Sequence, residues 1–230
     1  MNAVKFKTNN SSHAALHIGY KEKYIEETVN TKFLGLQIDN HINWKNHIEE
    51  TIPNLSGACY ALRSMVHISN VYTLISIYYA YLHSVINYGI IFGGDSSNSG
   101  KIVTLQKIII RIMAGAQPRT LCRSLFTQLE TRTAPCQYML SLMSFVFHNQ
   151  EIFQTNSSIY KANTRNKHHL HRPNANLSCF QTNTFYAGIK IFNILPPSVT
   201  VLMSEKATFK AAIRKYLHTH SCYSLDELYV

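Results

Sequence analysis

The apolar period of this chain changes once, near residue 43, and that change sets the fold class. Before it, Leu34, Leu36 and Ile38 alternate with Phe33 and Gln37, the two-residue repeat of a strand. After it, Ile48, Ile52, Leu55, Cys59, Leu62 and Val66 recur at steps of three and four, the repeat of an amphipathic helix. The helical period then persists downstream. The expectation is an α+β fold, mostly α. A short antiparallel β edge occupies residues 1–42 and a helical bundle 43–150. A basic polar loop follows over 151–183, then a C-terminal helical region over 184–230.

Short β-compatible runs surround Val4-Lys5-Phe6, Ala15 to Ile18 and Tyr24 to Val29. Three or four such strands are too few for an independent sheet, so they read as the edge of something larger. Asn43 is placed to cap the first helix, and Pro53 inside it predicts a kink because it removes a backbone donor. Asn70 starts a second helix with Leu74, Tyr78, Tyr81, Val85 and Tyr88 in register. A third runs from Lys101 to Ala114, with Gly115 at C′. Shorter helices are predicted over Leu121–Glu130 and Pro135–Asn149, a loop over Gln154–Asn176, and a helix over Phe185–Ile194. Ser204 caps a last helix carrying Phe209, Ile213, Tyr216 and Leu217.

Charge narrows the partners. With 22 Lys plus Arg against 12 Asp plus Glu, the net charge is +10, which favours polyanions: nucleic acid first, an acidic membrane surface second. Five scattered Cys without a CxxC indicate neither a disulfide framework nor a zinc site, which fits a reducing compartment. The opening MNAVKFKTNNSSHAA has no apolar h-region, so the expected location is intracellular, nucleus or cytoplasm. Val71 to Phe92 lacks charge and is long enough for a bilayer, but its interspersed polar residues and central tyrosines make it a buried core helix instead. Two-metal phosphoryl transfer needs carboxylates converging on ions about 3.5–4 Å apart. The chain has three aspartates, Asp39, Asp95 and Asp226, and only Asp226-Glu227 forms an acidic pair. No catalytic residue and no metal ligand is therefore expected. Neither a GxSxG motif nor a Cys in a signature context suggests nucleophilic catalysis.

Two basic segments stand out. Lys101, Lys107, Arg111, Arg119 and Arg123 include two steps of four, Lys107/Arg111 and Arg119/Arg123, which put each pair on one helical face. That stripe would neutralise phosphates with little sequence preference; the bland alternative is a solvated face. Lys161, Arg165, Lys167, His168, His169, His171 and Arg172 form the densest run, among Asn and Pro. It reads as a flexible arm on a nucleic-acid backbone, since HHxH lacks zinc-finger spacing. His218-x-His220-x-Cys222 lacks a fourth ligand nearby. Tyr78, Tyr79, Tyr81 and Tyr88 are chemically able to stack bases, but at helical spacing core packing is favoured. Trp44 anchors a helix start.

Several stretches, in order, resemble the reverse transcriptases of non-LTR retrotransposons, the jockey-like and related LINE elements. KFLGLQIDNHINWKNHIEETI (Lys32 to Ile52) is similar to their passage from palm to thumb, with Phe33-Leu34-Gly35, Asp39, Trp44 and His47-Ile48 at matching places. YYAYLHSVINYGIIFGG (Tyr78 to Gly94) and LQKIIIRIMAGA (Leu105 to Ala116) resemble thumb helices. FYAGIKIFNILPPSV (Phe185 to Val199) and FKAAIRKYL (Phe209 to Leu217) resemble the C-terminal helical region. The resemblance implies that residues 1–42 are the palm end, with Phe33, Leu34 and Gly35 as the primer-grip turn, and that the bundle is thumb-like. It also implies a parent enzyme that copies RNA into DNA with two Mg²⁺ ions. The adjacent aspartates of that family's palm do not occur here, nor does the Lys-Thr pair that precedes its first strand. Gly93 and Phe192 stand where the family often has Trp. The expectation is a truncated, inactive fragment, using no cofactor itself, that retains at most weak, salt-dependent binding to an RNA–DNA or DNA duplex. The alternative is an independent basic helical nucleic-acid-binding protein without polymerase ancestry.

Overall fold

The computed structural model describes residues 2–4, 6, 18–20, 23–161, 165–176, 178–181 and 183–228. The fold is α+β and mostly α. Strands β1 (Asn2–Val4), β2 (Ile18–Tyr20) and β3 (Lys23–Thr28) form a sheet in the order β1-β3-β2, with β2 antiparallel and β1 parallel to β3. Strands β4 (Asn30–Phe33) and β5 (Leu36–Asp39) pair antiparallel, with Phe33 opposite Leu36. The alternating run Lys32–Asp39 is thus a hairpin rather than one strand. Leu34 and Gly35 both take positive φ, 47° and 81°, the backbone of a two-residue turn that follows strand twist.

Helix α1 (Lys45–Met65) runs unbroken through the exposed Pro53. Its entry is organised by Asp39, not by the expected Asn43 cap. The Asp39 carboxylate, 4% exposed, accepts from the backbone N–H groups of His41, Asn43 and Trp44 at 2.9–3.2 Å. Those bonds compensate for left-handed backbone at Ile42 and Trp44. Asn43 Oδ1 accepts only from Lys45 N–H, 2.9 Å away. Trp44 does anchor the helix start, stacked on Phe92 at 5.8 Å.

Helix α2 (Val71–Ile77) begins at the predicted cap, where Asn70 Oδ1 accepts from Thr73 N–H at 2.8 Å. It widens into a π-helical stretch, Tyr78–His83, before α3 (Ser84–Asn87). The wide turn holds more residues per revolution, so the inward stripe becomes Leu74, Tyr78, Leu82, Ile86 and Ile90, each four residues on. Tyr81 and Tyr88, expected in that stripe, are 49% and 53% exposed, and Val85 is half-buried. Helix α4 (Ile90–Gly93) leads to α5 (Ser99–Met113). The latter ends as predicted on Gly115: Gly115 N–H donates to Ile112 and Ala116 N–H to Arg111, two bonds that satisfy the last carbonyls.

Helices α6 (Cys122–Gln128) and α7 (Ala134–His148) follow. Helix α7 is buried on nearly every side, with Cys136, Tyr138, Met139, Leu142, Met143 and Val146 all at or below 1% exposure. The region expected to be loop holds α8 (Asn156–Tyr160) and a bridge between Thr155 and Leu170. Then come α9 (Ser178–Gln181), α10 (Thr184–Ile194), α11 (Pro197–Thr200) and α12 (Lys206–Thr219). Ser204 does not cap α12. It is taken up in a 3₁₀ turn, Val201–Ser204, and Glu205 precedes the helix without a side-chain cap. The predicted face of Phe209, Ile213 and Leu217 is buried, with Tyr216 half-buried beside it. One apolar cluster runs from Leu55 to Leu225 and includes Phe153, Leu170 and Phe192. Among the described residues, no single helix is long and apolar enough to cross a membrane.

A polar hub locks this core. Gln106, 2% exposed, donates to Tyr78 Oη at 2.6 Å and to Arg132 C=O at 2.8 Å. Its Oε1 accepts from Ala134 N–H at 2.9 Å, so one side chain joins the π-helical stretch, α5 and the start of α7.

Candidate nucleic-acid interface

The hairpin tip is a rigid, exposed ledge. Phe33 and Leu34 are 59% and 74% exposed, although both are large and apolar. Leucine in left-handed backbone costs roughly 1–2 kcal/mol relative to the right-handed well. The tip is nonetheless held in place: Tyr88 Oη donates to Leu34 C=O, and the Leu36 side chain fills the space where a Cβ on Gly89 would sit. Tyr88 leaves the end of α3 with extended backbone and lies 53% exposed beside the hairpin.

Behind the tip lies a groove of ≈ 340 Å³ lined by Lys32, Gly35, His47, Asn54, Ser84 and Tyr88, among others. His47 is drawn below its ordinary value chiefly by burial, which favours the neutral ring at pH 7. The groove offers backbone, the Lys32 ammonium, the His47 imidazole, hydroxyls, a phenol and one carboxylate, Glu50. Sequence reading missed Lys32, His47, Asn54 and Ser84 as a group, because they meet only once the hairpin docks on α1 and α3. The one signal for that docking was Gly89 following Tyr88.

The basic stripe is arranged differently from its sequence spacing. Lys107 and Arg111 do share α5, but Arg119 lies in the turn before α6, so it shares no helical face with Arg123. The helix stop at Gly115 and the following Pro118 are the cause. Lys107 Nζ sits 3.5 Å from the centre of the Tyr223 ring, and Arg123 Cζ sits 5.2 Å from it. Arg123 also donates to Glu227 at 2.6 Å, and Arg111 Nε donates to Thr120 C=O at 3.0 Å. Lys101 approaches Glu49 at 3.9 Å on the surface, while Arg119 is exposed.

The second basic segment is pinned rather than free. Leu170, 3% exposed, exchanges two bonds with the Asn193 side chain on α10 at 2.8 and 2.9 Å. Asn156 N–H donates to His169 C=O, Ser157 N–H to Lys167 C=O and His171 N–H to Gln154 C=O. Lys161 and Arg165 are exposed on this clasp, Lys167 is half-buried, and Arg172 lies over the Tyr186 ring at 5.5 Å. The side chain of Cys179 lies outside the described residues. The expected flexible arm is therefore a fixed basic surface over its described part.

Among the described residues, no arrangement fits a pair of Mg²⁺ ions. The Asp39 oxygens are occupied by backbone N–H groups. Burial pushes the Asp95 carboxyl up, with Lys190 opposing and Asp226 adding to the rise. Among the described residues, no group of three or more His, Cys, Asp or Glu side chains is placed to hold a metal. Comparison with family models, with curated proteins and with solved structures finds no match.

Proposed function

We propose that this chain holds a nucleic-acid duplex by its sugar–phosphate backbone, as the palm-end and thumb-like segment of a non-LTR reverse-transcriptase lineage, with no catalytic step of its own. The hairpin tip carries this reading. It keeps two large apolar side chains in water and one of them in an unfavourable backbone well, a cost that folding alone does not require. A stiff ledge of exposed backbone and apolar side chains beside a polar groove suits the end of a strand resting in a minor groove. The net charge of +10 supplies the long-range attraction, and Lys101, Arg119, Lys161 and Arg165 lie exposed to meet phosphates.

A second reading, a self-standing helical nucleic-acid-binding protein of other ancestry, is favoured by the single apolar cluster from Leu55 to Leu225. The two part at the tip. Fluorescence anisotropy of a labelled RNA–DNA duplex should show Phe33→Ala/Leu34→Gly weakening binding about tenfold if the ledge contacts the strand. An unchanged affinity in that variant, with losses only on basic-residue replacement, would favour the second reading. With Mg²⁺ or Mn²⁺ and a primed template, no nucleotide incorporation is expected; templated extension would overturn the non-catalytic assignment.

A further inference from the structure

The segment after α12, residues 221–228, folds back as a strap across α6 and the start of α7. Its Tyr223 ring lies over Lys107, with Arg123 beside it but still 60% exposed, and is 6.3 Å from the Phe126 ring. Glu227 pairs with Arg123. Cys222 C=O accepts from Thr133 Oγ1 at 2.7 Å. The Cys222 Sγ, in a residue 3% exposed, lies 3.5 Å from the Sγ of Cys136, which is 0% exposed. A disulfide needs about 2.0 Å between sulfurs, so a short closing movement suffices.

We propose that Cys136 and Cys222 are a redox-active pair, and that their disulfide locks the strap over Lys107. Cys136 is the third residue of α7, where the helix N-terminus favours a thiolate. Hydrogen-bond contact with the Cys222 sulfur draws the Cys136 thiol below its ordinary value. Beside Cys222 is a cavity of ≈ 450 Å³, lined also by Arg123, Thr127, Tyr216, His220 and Glu227, which admits a small oxidant as the strap loosens.

Hydrogen peroxide is the co-reactant. The Cys136 thiolate attacks one peroxide oxygen, the O–O bond breaks, and the departing hydroxide takes the proton that Cys136 gave up and leaves as water. The sulfur of Cys222 then attacks the Cys136 sulfenic sulfur. The S–O bond breaks and that hydroxyl leaves as a second water with the Cys222 proton. The two sulfurs lose two electrons and the peroxide gains them. In the reduced protein the strap is held by the ring contacts, the Glu227–Arg123 ion pair, the Thr133 bond to the Cys222 carbonyl and the burial of Cys222 and Leu225 in the core; oxidation adds a covalent link. Resting on the duplex reading above, the locked strap withholds Lys107 from phosphate.

The full chain is treated with hydrogen peroxide, alkylated under denaturing conditions and peptide-mapped, alongside Cys222→Ser. The expected product is a Cys136–Cys222 linked peptide that dithiothreitol reverses and Cys222→Ser lacks. Hydrogen exchange over 221–228 should slow about tenfold in the oxidised wild-type protein, a comparison that needs no variant to fold. Over-oxidation of Cys136 without a linked peptide, pairing with Cys59 or Cys122 instead, or an unchanged exchange rate would overturn the proposal. Duplex affinity should be about tenfold weaker in the oxidised form at low salt. Equal affinity in the two forms would remove the masking role. Failure of both forms to bind would refute the duplex reading, and the linked peptide decides the redox pair independently.

Discussion

Around Gln106 and at the Leu34-Gly35 tip, the same chain follows opposite rules. At Gln106 a buried amide gives every polar atom a partner, and the neighbouring helices share one dry core. At the tip, apolar side chains face water and the backbone sits in a costly well, held by one tyrosine hydroxyl and one leucine contact. Among the described residues, the buried side-chain polar atom without a hydrogen bond, Thr28 Oγ1, also belongs to the β part. The difference marks where the stability of the chain is concentrated. The helical core is what folding optimises, and the hairpin is what it tolerates.

That contrast breaks if substitutions in the two regions have similar effects on stability. Gln106→Leu should have the largest effect. It strands the Tyr78 hydroxyl, the Arg132 carbonyl and the Ala134 N–H, and chemical denaturation should report a loss of about 3 kcal/mol. Asp39→Ala, at the joint between the regions, removes the acceptor for three backbone N–H groups and should cost about 2 kcal/mol. Asp39→Asn, which keeps one acceptor oxygen, should cost about half as much. Leu34→Gly should do the reverse and raise stability by about 0.5 kcal/mol, since glycine accepts positive φ at some cost in chain entropy. A loss there would mean that Leu34 packs rather than projects.

The smallest effect is a pH dependence shared by both regions. His47 behind the tip and His83 beside Gln137 both lie below their ordinary 6.5, chiefly through burial. Their contribution to stability is complete above the unfolded value and is lost as pH falls through the depressed folded values. Denaturation midpoints should therefore drop on acidification below about pH 6.5. The drop should shrink in His83→Gln, and an unchanged drop would place the acid sensitivity elsewhere.

Much of the helical part was legible because local signals and the core agree: Asn70 as a cap, Gly115 as a stop and the Phe209, Ile213, Leu217 face all follow from short-range spacing. The misreadings share a cause. The π-helical stretch adds residues to a turn without a local marker, so the buried stripe slipped after Tyr78, by one position at Leu82 and Ile86 and by two at Ile90. Asp39 acts across five residues as a cap for a loop, whereas spacing rules look to the residue next to the helix. In the two basic segments, the residues were visible but their engagement was not. Tyr223 and Glu227 lie about a hundred residues from Lys107 and Arg123, and Asn193 lies twenty-three from Leu170. Local patterning carries no trace of such pairings.

The duplex-holding claim meets its most direct test in a salt titration. Binding of a labelled RNA–DNA duplex to the full chain is followed by anisotropy as monovalent salt is raised. Affinity should fall with salt, with a log–log slope of about −2 or steeper. Affinity that stays level across the titration, or no binding at the lowest salt, would contradict it.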